Sequence, residues 1–274
     1  MIFRAKIVGL GFILIFLLMS FLGIQARSYF QELDTVYLDD SARLKRLVGL
    51  RERLTYEAYY GFMKLGEAVV EQYRDTTYKG QRRRLIRTVV TSNPKLLFVG
   101  YKEEHFSSII ASNDTTVYDL YYWKDDVAGK KKKMEEYEYD YQNGRVIARK
   151  PKSKADTLRL RGPSISGPSV IYHTRLIAGT GKSTRIPIFI NQKQHFISMK
   201  DYRRSEKVEN STFGNTDENA WYVDGDAAFD GPFGFSGKFK GWVMKDKYEN
   251  VPLEGHVKVW IGSIRVKLVK YEKF

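Results

Sequence analysis

Residues 135–149 read EEYEYDYQNGRVIAR, and this stretch decides the fold class that the sequence predicts. Tyr137, Tyr139 and Tyr141 alternate with acidic residues, so that in an extended chain the tyrosines share one face and the acids the other. The Asn-Gly pair at 143–144 is the strongest short signal for a tight hairpin turn, because both residues tolerate positive φ. The stretch therefore predicts a β-hairpin with one aromatic face.

The same two-residue period recurs on both sides of this hairpin. It begins in RLTYEAYYGF at residues 53–62 and returns between residues 184 and 271, whereas the Lys-, Pro-, Ser- and Gly-rich residues 149–169 are predicted to form a loop. The aromatic content of 14% favours strands. The side chains predicted to share one face of the first strand are Leu54, Tyr56, Ala58, Tyr60 and Phe62.

Two features near the C-terminus indicate that the sheet is curved. Apolar side chains occupy odd positions before residues 262–263 and even positions after them, which predicts a β-bulge that bends one strand. Large aromatic residues alternate with glycines over residues 233–243, as in strongly coiled sheets. The sequence thus predicts a mainly β fold over residues 51–274, a curved antiparallel sheet forming a half-barrel or open barrel. A short N-terminal helix is predicted within the linker at residues 27–50, after a signal segment.

Residues 1–26 have the layout of a secretory signal peptide. Arg4 and Lys6 precede an uncharged apolar run over residues 7–24, and Ala26 offers a small residue for cleavage. The competing interpretation is an uncleaved anchor that contacts the membrane through residues 7–24, since 18 apolar residues lie at the lower edge of what spans a bilayer. Both interpretations place the rest of the chain outside the cytoplasm, in the periplasm or cell envelope of a bacterium.

The charge and the cysteine count narrow the classes of function. The chain carries 46 Lys and Arg against 32 Asp and Glu, a formal net charge of +14 that suits anionic head groups, acidic glycans or phosphates. The basic residues are spread along the chain without a known nucleic-acid-binding module, so no nucleic-acid partner is expected. With no cysteine, the sequence excludes disulfides, thiolate nucleophiles and lipid attachment to an N-terminal cysteine.

Two short motifs resemble catalytic or nucleotide-binding loops. In AGTGKST, residues 178–184, the glycine that a P-loop requires five positions before its Gly-Lys pair is replaced by Leu176, and a strand instead of a helix is predicted to follow. A hairpin turn is therefore predicted there. In GPSISGPS, residues 162–169, Ser166 stands where a nucleophile elbow has glycine, which favours a flexible turn.

The ionisable residues give no recognisable metal or cofactor motif. The four histidines are scattered, and the aspartates of DGDAAFDG at 224–231 miss the spacing of a calcium-binding loop, so no cofactor or metal is expected. The alternative function that remains open is an envelope hydrolase whose site is assembled from residues distant in sequence. Its candidate residues are Glu103, His105, His173, His195, Asp224 and His256.

Segments near both ends of the chain resemble the exported bacterial proteins grouped as domain of unknown function 3108. The resemblance covers about residues 50–272 and rests on Tyr60-Gly61-Phe62, on Gly66-Glu67-Ala68, and on a closing basic strand, acidic turn and Ile261-Gly262-Ser263. YHTRLIAGTGKSTRIPIFIN, residues 172–191, also resembles the family's arginine-leucine segment. The resemblance implies a signal peptide and an envelope location, and it implies no activity.

These observations favour a non-catalytic protein of the cell envelope. We expect it to bind or scaffold a lipid, a glycan or a protein partner, since curved exported sheets often hold apolar ligands. An enzymatic role is not expected. The aromatic residues predicted to face a ligand or to lie in the core are Tyr56, Tyr60, Phe233, Phe235, Phe239 and Trp260.

Overall fold

The computed structural model describes residues 41–96, 101–127, 131–227, 237–245, 249–259 and 262–274. Its helices are α1 (Ser41–Gly49), a 3-10 turn (Gly167–Ser169) and α2 (Val170–Ile177). Its strands are β1 (Glu52–Tyr60), β2 (Met63–Tyr78), β3 (Gln81–Ser92), β4 (Glu103–Ser112), β5 (Val117–Asp126), β6 (Lys131–Asp140), β7 (Arg145–Arg149), β8 (Asp156–Arg159), β9 (Ser183–Ile190), β10 (Lys193–Glu209), β11 (Asp217–Ala227), β12 (Gly237–Met244), β13 (Pro252–Lys258) and β14 (Ser263–Lys273).

All fourteen strands form one antiparallel sheet that does not close into a barrel. Neighbouring strands are mostly consecutive in sequence, and β1 lies beside β14 in the middle, so that the sheet runs from β8 through β1 and β14 to β9. The two edge strands, β8 and β9, are thus consecutive in sequence. Residues 160–182, called the crossing segment here, connect them and contain both the 3-10 turn and α2.

The crossing segment contacts strands from both halves of the sheet. The N–H of Asp119 in β5 donates to Ser164 O at 2.9 Å. One residue later, Ile165 N–H donates to Pro187 O of β9 at 3.0 Å, and Phe189 N–H returns to Ile165 O at 3.1 Å. Because one short segment reaches β5 and β9, the sheet must be strongly curved, which confirms the predicted half-barrel or open barrel.

Both helices pack into the main hydrophobic core. The predicted helix of residues 27–50 is confirmed as α1, whose Leu44 and Leu47 are buried. The second helix, α2, was not predicted, because it has only eight residues and its apolar side chains surround it instead of forming one stripe. Tyr172 and Leu176 of α2 are buried in the same core cluster as the α1 leucines.

The predicted β-bulge at residues 262–263 is wrong. β13 ends at Lys258 and β14 begins at Ser263, and these two residues are paired across the antiparallel ladder. Val259 N–H donates to Gly262 O, and Gly262 has a φ of 77°. A chain reversal between β13 and β14 explains the change from odd to even apolar positions. Residues paired across the two strands share a face, and each odd-numbered residue of β13 is paired with an even-numbered residue of β14.

Three further local predictions need correction. Phe62 does not share the face of the first strand, because it lies in the turn between β1 and β2 and is 100% exposed. The supposed loop at residues 149–169 contains β8 and the 3-10 turn. The turn between β6 and β7 has four residues instead of two. The Asp140 carboxylate stabilises this turn by accepting hydrogen bonds from Asn143 N–H at 3.2 Å and from Asn143 Nδ2 at 2.8 Å.

The segment at residues 178–184 is also not a hairpin turn. It connects α2 to β9, so the chain runs from helix to loop to strand, the reverse of the order in a P-loop. Gly181 N–H donates to the carboxylate of Asp201 at 2.5 Å. A protein carboxylate therefore occupies a backbone donor of the kind that a phosphate would need.

In the part of the chain that the structure describes, no helix has the length and apolar character needed to cross a membrane. The predicted signal or anchor at residues 1–26 lies outside the described residues.

Candidate functional site: a basic groove and an inner cavity

A cavity of about 1080 Å³ lies along β9 to β13. In β10, the side chains of Ser198 and Lys200 lie on the face opposite the buried Ile197, and they line the cavity together with the neighbouring Met199. We call this cavity the basic groove.

The strand register arranges the polar lining of the basic groove in two rows. One row crosses from Lys200 through Asp224 to Lys240 and His256 on neighbouring strands. The parallel row begins at Arg185 of β9. Its members, in strand order from β9 to β12, are Arg185, Ser198, Asp226 and Lys238.

The basic groove carries an excess of positive charge. Its described lining contains five Lys and Arg against two Asp, leaving three positive charges before its histidines are counted. The cations are Arg185, Lys200, Lys238, Lys240 and Lys258. Two of them are placed by aromatic rings, because Arg185 stacks 3.8 Å from the ring centre of Phe196 and Lys200 lies 4.7 Å from that of Tyr202. The arrangement is suited to binding an anion in contact with apolar groups.

A second cavity of about 270 Å³, called the inner cavity here, lies between the crossing segment, α2, the start of β5 and β9. It shares Arg185 and Phe196 with the basic groove, so the two cavities adjoin at this stacked pair. Arg161, which is exposed, also lines it. Four of its lining residues are almost fully buried apolar side chains. These are Val117, Ile165, Leu176 and Ile186.

His173 of α2 also lines the inner cavity, and it is held in its neutral form. Burial lowers the pKa of His173 to about 4, although a backbone hydrogen bond to Val117 partly opposes this shift. Its Nε2 lies 3.1 Å from Val117 O, so the ring donates from that nitrogen. The histidine therefore adds no charge to the cavity at neutral pH.

The crossing segment that walls the inner cavity is held by two fully buried carboxylates. Glu52 of β1 accepts hydrogen bonds from the Arg175 guanidinium and the Gln72 amide, and from Tyr271 Oη at 2.7 Å. Arg175 Nε donates in turn to Glu249 O at 2.9 Å. All of Glu52, Gln72 and Arg175 is inaccessible to solvent, so this ion pair supports the fold and does not offer a binding site.

Asp119 of β5 is the second buried carboxylate. It accepts from Ser108 Oγ at 2.9 Å, from Ser166 N–H at 2.8 Å and from the Ser169 hydroxyl. Burial raises the pKa of Asp119 to about 6, against the opposing effect of these serine hydrogen bonds. The serine-rich loop, predicted to be a flexible turn, is instead buried, because its side chains and backbone satisfy this carboxylate.

The aromatic residues named from the sequence fall in different places. Tyr56 is buried in the main core and donates its hydroxyl to Pro252 O at 3.0 Å. Tyr60 is 38% exposed and lies against Gly262, while Phe239 lines the basic groove and packs on a core cluster. Phe233, Phe235 and Trp260 lie outside the described residues.

Three of the six residues named for a hydrolase site line the basic groove. These are His195, Asp224 and His256. Asp224 accepts from Tyr202 Oη at 3.2 Å, and His256 Nε2 lies 2.6 Å from Glu254 Oε1. Lys240 stands between Asp224 and His256 in the register, and because adjacent strands are about 4.8 Å apart, these two positions are about 10 Å apart. Asp224 and His256 each contact a different partner, Tyr202 and Glu254.

The other three hydrolase candidates lie elsewhere. Glu103 and His105 are paired at 2.8 Å on β4, and His173 lies in the inner cavity. Over the described residues, no group of three or more His, Asp and Glu side chains is arranged to hold a metal ion.

Sequence reasoning did not single out the cations of the basic groove. A signal for them exists in GKFKGWVM, where the exposed Lys238 and Lys240 of β12 alternate with glycines and with the half-buried Phe239. Their convergence with Arg185 depends on the pairing of β9 to β13, which residue alternation alone does not reveal.

Comparison with known families identifies the group to which the chain is related. The model of the family described as "Protein of unknown function (DUF3108)" matches residues 55–269. The chain belongs to this family. The DUF3108 match covers the sheet from β1 into β14, together with the crossing segment, which confirms the resemblance noted from the sequence. No curated protein sequence matches the chain.

Comparison with solved structures finds proteins similar to this DUF3108 chain at low sequence identity, one of them with a TM-score above 0.5. A β-barrel-like protein of the domain of unknown function DUF1849 from Brucella abortus has 14% identity and a TM-score of 0.51, covering 82% of this chain and 98% of its own. A provisionally assigned lipoprotein from Parabacteroides distasonis has 7% identity and a TM-score of 0.36, covering 81% and 95%. A provisionally assigned exported protein with a YmcC-like fold from Bacteroides fragilis has 9% identity and a TM-score of 0.36, covering 82% of this chain and 96% of its own. At these identities the likeness concerns the fold alone.

Proposed function

We propose that this DUF3108 chain is a non-catalytic binding protein of the bacterial cell envelope that holds an anionic ligand in the basic groove. The observation that carries the proposal is the pair of cross-strand rows, in which Lys200, Lys238 and Lys240 converge with Arg185 on one face of the sheet. Aligned cations on a rigid sheet attract an anion without the entropic cost of ordering a loop.

The size and the surfaces of the groove support a ligand larger than a simple ion. Its volume of about 1080 Å³ is just above the range, about 300–1000 Å³, that is typical of small-molecule sites. Phe196 and Tyr202 add aromatic surface beside the cations. An anionic group attached to an apolar body, as in lipids, matches both kinds of surface.

A non-catalytic role is supported by the separation of the ionisable groups in the groove. Asp224 and His256 engage Tyr202 and Glu254, and a lysine separates them across the strands. Export rests on the signal-like residues 1–26 of the sequence. Together these support binding outside the cytoplasm in preference to hydrolysis.

The test compares two charge reversals on the same strand. Lys200→Glu changes a cation of the basic groove, and Lys207→Glu makes the same change at another exposed position of β10 that is not part of the groove. Calorimetric titration of the full chain uses octyl phosphate as the anionic probe and octyl glucoside as an uncharged probe with the same chain.

We expect the wild type to bind octyl phosphate more tightly than octyl glucoside. Lys200→Glu should weaken the binding of octyl phosphate at least about fivefold, since a nearby charge is inverted, while Lys207→Glu should leave it within about twofold. Equal affinity for both probes, or equal loss in both variants, would overturn the proposal. Native mass spectrometry of the chain purified from the cell envelope then identifies the natural ligand by its mass.

A further inference from the structure

We infer that the inner cavity receives a single alkyl chain of the ligand whose anionic group lies in the basic groove, so that the ligand class is a single-chain anionic amphiphile. This inference rests on the proposed function. It adds that the ligand carries an alkyl chain, where that alkyl chain lies and how long it is. It is carried by the contact between the two cavities, by the apolar floor of the inner cavity and by its volume.

The two cavities meet where a charge and an apolar ring are stacked. Arg185 and Phe196 line both cavities, and the guanidinium lies 3.8 Å from the ring centre. A molecule that crosses this point would place its anionic group beside Arg185 and its next carbons beside Phe196. Arg161, the other cation of the inner cavity, is exposed, so positive charge stands at the entrance and not at the floor.

The buried lining of the inner cavity is mostly apolar and carries no charge; its buried polar groups besides His173 are Thr184 and Thr116, whose hydroxyl donates to Val117 O at 3.2 Å. Val117, Ile165 and Ile186 are each no more than 2% exposed, and Leu176 is 3% exposed. His173 is the titratable side chain of the described lining that is buried there, and it is neutral and bonded to Val117 O. Such a surface favours methylene groups, since burial of each one is worth about 0.8 kcal/mol, or about fourfold in affinity.

The volume of the inner cavity sets the length and number of chains. An apolar protein cavity of about 150 Å³ is large enough to bind benzene, and the inner cavity has about 270 Å³. A methylene group is about the size of a water molecule, roughly 30 Å³, so the cavity has room for at most about nine methylenes. It therefore accommodates one chain of that length and excludes the paired long chains of a membrane phospholipid.

The experiment uses calorimetry on the full-length protein to measure affinity as a function of the length of the ligand's alkyl chain. The probes are n-alkyl phosphates of four, six, eight, ten and twelve carbons, below their micellar concentrations. We expect the affinity to rise up to about fourfold per carbon to about nine carbons and then to level off. An affinity that does not change from four to twelve carbons would overturn the inference.

Two matched variants test whether the ligand's alkyl chain lies in the inner cavity. Ile186→Phe reduces the volume of the inner cavity, and Ile197→Phe makes the same change at the residue paired with Ile186, which is equally buried but does not line the cavity. Both enlarge a core side chain, so both are expected to lose some stability. Ile186→Phe alone should flatten the dependence on chain length, and equal behaviour of the two variants would overturn the placement.

The two proposals fail in different ways. If alkyl phosphates bind with a preference over octyl glucoside but without any dependence on chain length, the basic groove keeps its proposed function and the inner cavity loses its role. If neither charge nor chain length affects binding, both proposals are wrong. Lys200→Glu should weaken all chain lengths by the same factor, which separates its effect from that of Ile186→Phe.

Discussion

Glu52 and Asp119 are both completely buried carboxylates that hold the crossing segment to the sheet, but their partners differ. Glu52 meets the guanidinium of Arg175 in α2. The bonds found for the Asp119 carboxylate come from serine hydroxyls and a backbone N–H, with Ser166 and Ser169 on the crossing segment. The Glu52 contact depends on compensation of its charge by Arg175. At Asp119 no cation compensates the charge among these bonds, and burial raises the pKa of the carboxyl group to about 6. The same segment is therefore held by one ionic contact and one that can be protonated near neutral pH.

The largest effect is expected from breaking the ionic contact. Arg175→Met leaves Glu52 buried beside Gln72 and Tyr271 without its cation, which should lower the free energy of unfolding by about 3–5 kcal/mol. Urea unfolding at pH 7 measures the loss. The double variant Glu52→Gln/Arg175→Met removes both charges and should recover at least half of it, because a glutamine can still accept from Tyr271. A loss below about 1 kcal/mol in the single variant would show that the ion pair does not hold α2.

The buried ion pair also marks the limit of what the sequence could predict. Residue alternation located the aromatic hairpin of β6 and β7 and the face of β1, because each signal lies within about fifteen residues. The pairing of Glu52 with Arg175, 123 residues apart, depends on α2, whose short apolar sequence carries no helical stripe. The wrongly predicted bulge at 262–263 shows the same limit, since a bulge and a chain reversal produce the same change of parity.

The candidate site was still less predictable than the fold. Histidines and carboxylates are the residue types that carry catalysis, and three of those predicted for a hydrolase site line the basic groove. The character of the groove comes instead from Arg185 and from lysines on three strands, each of which looks like an ordinary solvent-exposed residue within its own strand. Their common location follows from strand register and curvature, which are properties of the whole sheet.

The pH dependence of Asp119 should sharpen the comparison between the two carboxylates. Its pKa is raised from 3.8 to about 6, so its contribution to stability is fully present below pH 3.8 and is lost as the pH rises through 6. Relative to Asp119→Asn, the free energy of unfolding of the wild type should therefore fall by about 2–3 kcal/mol between pH 4 and pH 7, at about 1.4 kcal/mol per pKa unit. Tyr139 and Tyr141 beside it have raised pKa values and stay neutral over this range. Urea unfolding at half-unit steps measures the difference, and a constant difference would contradict the shifted pKa.

His173, on the same segment, should show the opposite dependence. Its pKa is lowered from 6.5 to about 4, so its contribution is present above pH 6.5 and is lost as the pH falls towards 4. The reference is His173→Gln, whose amide can still donate to Val117 O. Relative to it, the free energy of unfolding of the wild type should rise by about 3 kcal/mol between pH 4 and pH 7. Because the two dependences oppose each other, each is visible only against its own variant. A His173→Gln difference that runs parallel to that of Asp119→Asn would contradict the burial of a neutral ring.

The smallest expected effect concerns the hydroxyl groups that surround the Asp119 contact. Tyr139 Oη lies 2.9 Å from Ser166 Oγ in the buried region, and Tyr139→Phe should cost about 1 kcal/mol, the net value of one neutral hydrogen bond. Tyr118→Phe is the control, since the Tyr118 ring packs 5.0 Å from Tyr141 and its side chain is only partly buried, so its loss should stay within about 0.5 kcal/mol. A loss of about 3 kcal/mol from Tyr139→Phe would mean that the serines cannot satisfy Asp119 without the tyrosine. In that case the hydroxyl contacts would act as one cooperative network, comparable in strength to the ion pair of Glu52.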